Sequence, residues 1–306
     1  MLRASLAALA LVALTAGCGS SESGPKRSAP AAGSLEQLWQ DSEQAVALIP
    51  GTADYAPGDV RFSFLVVTNR GRVVTTPTAR VWLARSRDAR PFERTTARLV
   101  STTAPGASTE DEEAHSLYVA HLRIRRPGRF WVLARPVGSP IRIGGIQELA
   151  VKSRPASPAI GSRAYPSRTP TIASAHGRLS SLTTRTPPDR GLLRYSIAGS
   201  LAAHVPFVVV FATPRFCESR TCGPTVDVVD AVRRQMHTSR VRFIHVEIYA
   251  GNNPAKGFNR WVRQWHLPSE PWTFLVGRDG RIKAKFEGSV GRAELLTAVR
   301  RYLLAQ

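Results

Sequence analysis

Two of the three cysteines in this chain of 306 residues stand in one short stretch, "FATPRFCESRTCGP", from Phe211 to Pro224. Four residues separate Cys217 from Cys222. Two neighbouring thiols can exchange electrons with another disulfide, staple a loop, or hold a metal ion. Geometry limits how they can do so. In one continuous helix, residues five apart hold their Cα atoms beyond the ~7 Å that a disulfide tolerates. Pro224 removes that obstacle, because proline is favoured in the first helical turn. The helix is therefore expected to begin near Gly223 or Pro224, with Cys222 at its N-terminus and Cys217 in the loop before it. A thiolate in that position is stabilised by the helix dipole. Arg215 and Arg220 add positive charge and Glu218 partly opposes it. Such surroundings bring a thiol below its free pKa of about 8.5. Asp227 follows in the helix as a candidate proton acceptor for a buried thiol, or as a solvated carboxylate. His245 and His266 could supply metal ligands, but both read better as satisfied structural histidines.

The elements around this stretch follow from the hydrophobic period. "PFVVVFAT" (206–213) is a continuous apolar run, as in a strand buried on both faces. "VRFIHVEIY" (241–249) is another such run. "YSIAGSLAAHV", "TVDVVDAVRRQM", "GFNRWVRQWH" and "RAELLTAVRRYLL" have helical spacing. "PWTFLVG" and "RIKAKFEG" flank Arg278-Asp279-Gly280, a hairpin signal. The order over 191–306 is helix, strand, helix, strand, helix, strand, strand, helix.

Residues 45–153 have a different texture. "DVRFSFLVVTNRGRVV", "TARVWLAR", "SLYVAHLRI", "GRFWVLARP" and "IQELAVKS" are short strands between Pro/Gly breaks and polar loops. They predict an all-β sandwich. No catalytic set appears in them, and a spacer or partner-binding role is expected. Residues 154–190 are rich in proline and arginine. They predict an accessible linker, neither helix nor good strand. "LEQLWQDSEQAVAL" (35–48) has helical spacing. The serine, glycine and proline of the 19–44 segment suit a flexible tether.

The charge is strongly positive: 42 Lys and Arg against 22 Asp and Glu, a net +20. No basic helix with interleaved aromatics accompanies it, so nucleic acid is not an expected partner. Attraction to an anionic membrane or wall would be salt-dependent. Met1-Leu2-Arg3, then the apolar run from Ala4 to Ala16, then Gly17-Cys18, read as a secretory signal too short to span a bilayer. No other segment is apolar for eighteen residues, so no transmembrane helix is expected. Outside the cytoplasm disulfides persist. With Cys18 consumed in processing, Cys217 and Cys222 have only each other.

Three resemblances extend this reading. "LTAGC" followed by "GSSESG" resembles the lipobox of bacterial lipoproteins, although Thr15 stands where that family has leucine. It implies residues 1–18 as signal, a lipid on Cys18, and a protein anchored to the extracytoplasmic face of the cell membrane. "RRPGRFWVLARP" resembles a strand of extracellular immunoglobulin-like modules. The element order over 191–306, with "LPSEPWTFLVGRDGRI" (267–282), resembles the thioredoxin-like fold of the TlpA/ResA-like thiol-disulfide oxidoreductases. That likeness implies a disulfide between Cys217 and Cys222, a cis-proline at Pro271 shaping the substrate groove, no prosthetic group, and protein thiols or disulfides plus a redox partner as partners. Either cysteine fits the attacking role: Cys217 by position, Cys222 because "TCGP" (221–224) imitates the start of thioredoxin's motif. A weaker likeness joins "TPRFCESRTCG" to peroxiredoxin Q peroxidases, with Thr213 one residue too early and Pro271 near the expected place of their arginine. A non-enzymatic rival keeps the disulfide as a staple in a binding protein. Copper chaperones of the Sco family share the two cysteines, at a different spacing, and add a histidine.

Overall fold

The computed structural model describes residues 29–104, 116–217, 221–237 and 240–305. The signal, Cys18, Glu218 and Arg220 lie outside these residues.

The first half is built from alternation. Its strands are β1 (Gln44–Pro50), β2 (Gly58–Val67), β3 (Thr78–Ala84), β4 (Glu93–Ser101), β5 (Ser116–Ile124), β6 (Gly128–Val137) and β7 (Ile143–Val151). Every second residue points inward: Phe62, Phe64 and Val66 from β2, Val81 and Leu83 from β3, Tyr118, Ala120 and Leu122 from β5. Phe62, Phe64 and Tyr118 stack along this core, with ring centroids 4.9 and 5.3 Å apart. The opposite parity of β3 and β6 offers Trp82 and Leu133, which a short helix, α1 (Leu35–Gln40), covers with Leu35.

These strands do not form the expected immunoglobulin-like sandwich. They close into a seven-stranded barrel in the order β1-β2-β5-β4-β3-β6-β7. The last seam is parallel, Gln44 to Val46 of β1 lying beside Ile143 to Gly145 of β7. A sandwich has free edges, and here β1 removes them. Gly145 permits the seam: a Cβ there would lie 2.9 Å from Leu48 Cβ and 3.1 Å from Leu48 N.

The second half holds four strands: β8 (Phe207–Phe211), β9 (Arg242–Val246), β10 (Trp272–Val276) and β11 (Ile282–Glu287). Their order is β11-β10-β8-β9, with β8 and β9 parallel and the other pairs antiparallel. All five residues of β8 are buried, alternating between two cores. One core is covered by α3 (Cys222–Met236) and α5 (Arg292–Val299). The expected α/β thioredoxin-like domain is not what forms: this is a four-stranded sheet with few helices. Two expected helices shrink to α2 (Ile197–Ala202) and α4 (Arg260–Gln264). Much of their place is taken by chain without regular structure.

That chain includes the proline- and arginine-rich segment 154–190. It is a strap rather than an open linker. Ile282 N–H donates to Ser162 O and Ala164 N–H to Gly280 O. Trp265 Nε1 donates to Ser167 Oγ, and Ala164, Ala175, Leu182 and Thr183 are buried. The strap's prolines cannot donate to a ladder, so single hydrogen bonds and side chains hold it instead.

Barrel and sheet also touch. Arg61 meets Glu294 at 2.7 Å and donates to Ser289 O. Glu287 accepts from the backbone N–H groups of Ala53 and Asp54. Asp54 in turn accepts from Ala156 and Ser157 of the strap. Burial pushes the Asp54 carboxyl up, but these donors outweigh it and hold it below the usual range. No helix among the described residues is long and apolar enough to cross a membrane.

Candidate functional site

The site forms where two antiparallel strands end side by side. Trp272 opens β10 opposite Phe211, the last residue of β8. The chain leaving β8 carries Cys217, and the chain entering β10 carries Glu270 and Pro271. Sheet register thus brings together residues more than fifty positions apart.

Cys222 is the first residue of α3, as the position of Pro224 suggested. Its backbone N–H, one of the donors a helix leaves orphaned, points at Cys217 Sγ at 3.3 Å. The loop sulfur therefore helps to cap the helix. Cys222 is buried and Cys217 is half-buried, and both are thiols. The Cys222 thiol is pushed well above its ordinary pKa. Its hydrogen bond to Cys217 is the main cause, burial adds to it, and a backbone hydrogen bond with Thr213 only partly opposes. The pair is asymmetric: Cys217 is half-buried, and Cys222 is buried and keeps its proton.

Glu270 is the member that sequence reasoning missed. One of its carboxylate oxygens and the two sulfurs all lie within 4.8 Å of one another. Its charge adds to the forces holding the proton on Cys222. The signal was its place immediately before Pro271, but only the β8–β10 pairing turns that into proximity. The Glu270–Pro271 bond is cis, as the oxidoreductase likeness implied. Pro271 O accepts from Gly288 N–H at 2.8 Å, which ties this corner to the end of β11.

Other candidates are placed elsewhere. Asp227 is paired with Arg185 of the strap at 2.7 Å. His245 is buried with both ring nitrogens engaged: Nε2 is 3.0 Å from Ala212 O and Nδ1 is 3.3 Å from Thr183 Oγ1. A carbonyl can only accept, so Nε2 carries the proton. His266 is exposed and lies against the Tyr165 ring. Neither histidine joins the cysteines, so a two-cysteine-plus-histidine metal centre does not form among the described residues.

The strap also holds the loop that carries Cys217. Thr184 donates through Oγ1 to Glu247 at 2.9 Å and accepts from Arg215 N–H at 3.2 Å. The cysteine loop is thereby fixed to β9's end through one threonine. Deeper in α3, burial and the neighbouring Asp189 carboxylate push the Asp230 carboxyl up. Arg233 bridges both acids. A cleft of about 800 Å³ lies between barrel and sheet, lined by Asp54, Arg61, Lys285 and Tyr302 among others, and does not reach the cysteines.

No family model, curated protein or solved structure matches this chain.

Proposed function

We propose that the chain is a thiol-disulfide oxidoreductase acting through Cys217 and Cys222, outside the cytoplasm and anchored to a membrane by a lipid on Cys18. The observation that carries the redox reading is the asymmetric pair: a half-buried Cys217 whose sulfur accepts the N–H of a fully buried Cys222. This support is local and does not depend on the fold likeness that the sheet topology overturned.

The geometry gives the two cysteines different tasks. A donor N–H aimed at Cys217 Sγ favours its thiolate, the form that attacks. That thiolate attacks one sulfur of a disulfide in a partner protein. The partner's S–S bond breaks, and its second sulfur leaves with the electron pair and takes a proton from solvent. The mixed disulfide removes the negative charge from Cys217 and with it the main hold on the Cys222 proton. Cys222 then loses that proton to solvent and attacks Cys217 Sγ. The mixed S–S bond breaks and the partner departs as a dithiol. Two electrons and two protons have moved from the pair to the partner, and the reverse sequence oxidises a partner dithiol. Pro271, at the same corner, walls the groove in which the partner's chain lies.

Trapping tests this. Cys222→Ser should accumulate a mixed disulfide on Cys217 when the reduced full chain meets a peptide disulfide. Cys217→Ser should accumulate none, and the wild type should turn over. No trapped species, together with a reduction potential well below about −300 mV, would leave a stapling disulfide and sink the exchange reading. The anchor is tested separately: Cys18→Ser should move the protein out of the membrane fraction, and a wild-type protein that is already soluble would remove that part.

A further inference from the structure

We propose that the reduced site is also a zinc site, in which Cys217, Cys222 and Glu270 supply three ligands and water the fourth. The site needs only the reduced pair and the carboxylate. It stands whether or not the pair exchanges with other proteins.

Two sulfurs and one carboxylate oxygen converge within 4.8 Å of one another, on a half-buried corner of the sheet. Tetrahedral zinc has Zn–S near 2.3 Å and Zn–O near 2.0–2.2 Å, so adjacent ligand atoms lie about 3.5–3.8 Å apart. The cluster therefore has to contract by at most about 1.0–1.3 Å, which side-chain rotation can supply. The donor set also selects the metal. Calcium and magnesium want six or more oxygens, and two of these three donors are sulfur. Copper(I) favours sulfur throughout, whereas thiolates with a carboxylate suit divalent zinc.

The elements hold the three donors in fixed places. Cys222 is locked in the first turn of α3. Cys217 is held by the Cys222 N–H. Glu270 is set by β10, whose first residue pairs with both β8 and β11. Because Cys217 and Glu270 are only half-buried, a water can complete the tetrahedron. The nearby His245 cannot, since both its nitrogens are committed to Ala212 and Thr183. Three protein ligands with one open position is the arrangement of a site that can release its ion or bind a further group.

Binding is an exchange of protons for metal, with no change of oxidation state. Zn²⁺ displaces whatever protons the two sulfurs still hold, the Cys222 proton first among them, and joins the carboxylate; the displaced protons go to solvent. Oxidation to the Cys217–Cys222 disulfide removes both thiolates and must eject the ion. The metal-bound and disulfide forms exclude each other.

The test uses the full chain reduced with a phosphine, and Co²⁺ as a coloured stand-in for Zn²⁺. The wild type should show a thiolate-to-cobalt charge-transfer band that saturates at one equivalent and is bleached by Zn²⁺. The band should vanish in Cys217→Ser, in Cys222→Ser and in the oxidised wild type. Glu270→Gln, with its melting temperature checked, should bind Zn²⁺ at least tenfold more weakly in competition with a chromophoric chelator. The absence of a charge-transfer band in the wild type overturns the proposal and requires no variant to fold. So does a band that survives either cysteine substitution, or an unchanged zinc affinity in a folded Glu270→Gln.

Discussion

His245 shows how a single buried side chain can tie the site to solution conditions. Burial holds its pKa below the ordinary 6.5, with Glu247 pulling it back up and Arg185 adding to the depression. A folded-state pKa below the unfolded one means the unfolded chain binds the proton first. The stability this residue contributes is therefore complete above about 6.5 and is lost as pH falls below it. Gln in its place can still donate to Ala212 O and accept from Thr183, but cannot titrate. Denaturant unfolding between pH 7 and 5 should fall more steeply in the wild type than in His245→Gln. Equal slopes would mean that His245 is not the titrating group. At this scale the sequence was legible in part. Spacing singled out Cys217 and Cys222, because a helix start is a local event, and the oxidoreductase likeness pointed to Pro271. Glu270 was not legible as a site residue, because its nearness to the sulfurs depends on Trp272 pairing with Phe211. Asp227 looked available until the strap brought Arg185 to it.

The elements divide in the same way. β2, β3, β5, β6 and most of β7 announce themselves by alternation, and β8 by its continuous apolar run. β4 does not: "ERTTARLVS" buries one residue in nine and is a strand because its neighbours β3 and β5 supply its hydrogen bonds. β1 was hidden inside a stretch of helical spacing, of which only Leu35–Gln40 is helical. Missing β1 turned a closed barrel into an expected sandwich, since β1 is the strand that joins the two ends. Its parallel seam with β7 links residues a hundred positions apart, which no local pattern encodes. The seam is also the place to test closure. Gly145→Val would drive a branched side chain into Leu48, where even a Cβ already meets backbone at 3.1 Å. Overpacking of this kind costs about 1–3 kcal/mol. The midpoint of chemical unfolding should drop accordingly, while the same change at Gly71, which has open space but a φ of +77°, tests backbone strain alone. A Gly145→Val variant as stable as the wild type would mean that β1 and β7 do not close the barrel in solution.

At the scale of the whole molecule, the strap is what makes two sheets behave as one protein. Its start is bonded to the barrel's Asp54, its middle to Trp265 and β11, and its end to α3 through Arg185–Asp227 and Asp189–Arg233. Composition alone reads the same residues as an accessible linker, because prolines and arginines form no period and reveal no partner. The two readings make opposite statements about proteolysis. Arg163, Arg168, Arg178, Arg185 and Arg190 all lie in the strap and none precedes proline, so trypsin has five sites there if the backbone is open. Cleavage requires some residues on either side of the bond to leave the fold. Around Arg163 this would break the Ser162 and Ala164 bonds to β11 and its turn. Around Arg185 it would break the Asp227 ion pair and the Thr184–Glu247 hydrogen bonds together. Native trypsin digestion followed by mass spectrometry should therefore place the first cuts outside 154–190, despite the abundance of arginine within it. Partial denaturation should then expose all five sites in one step with the unfolding of the C-terminal sheet, because the strap has no fold of its own to retain. A first native cut at any of these five arginines would return the segment to a linker.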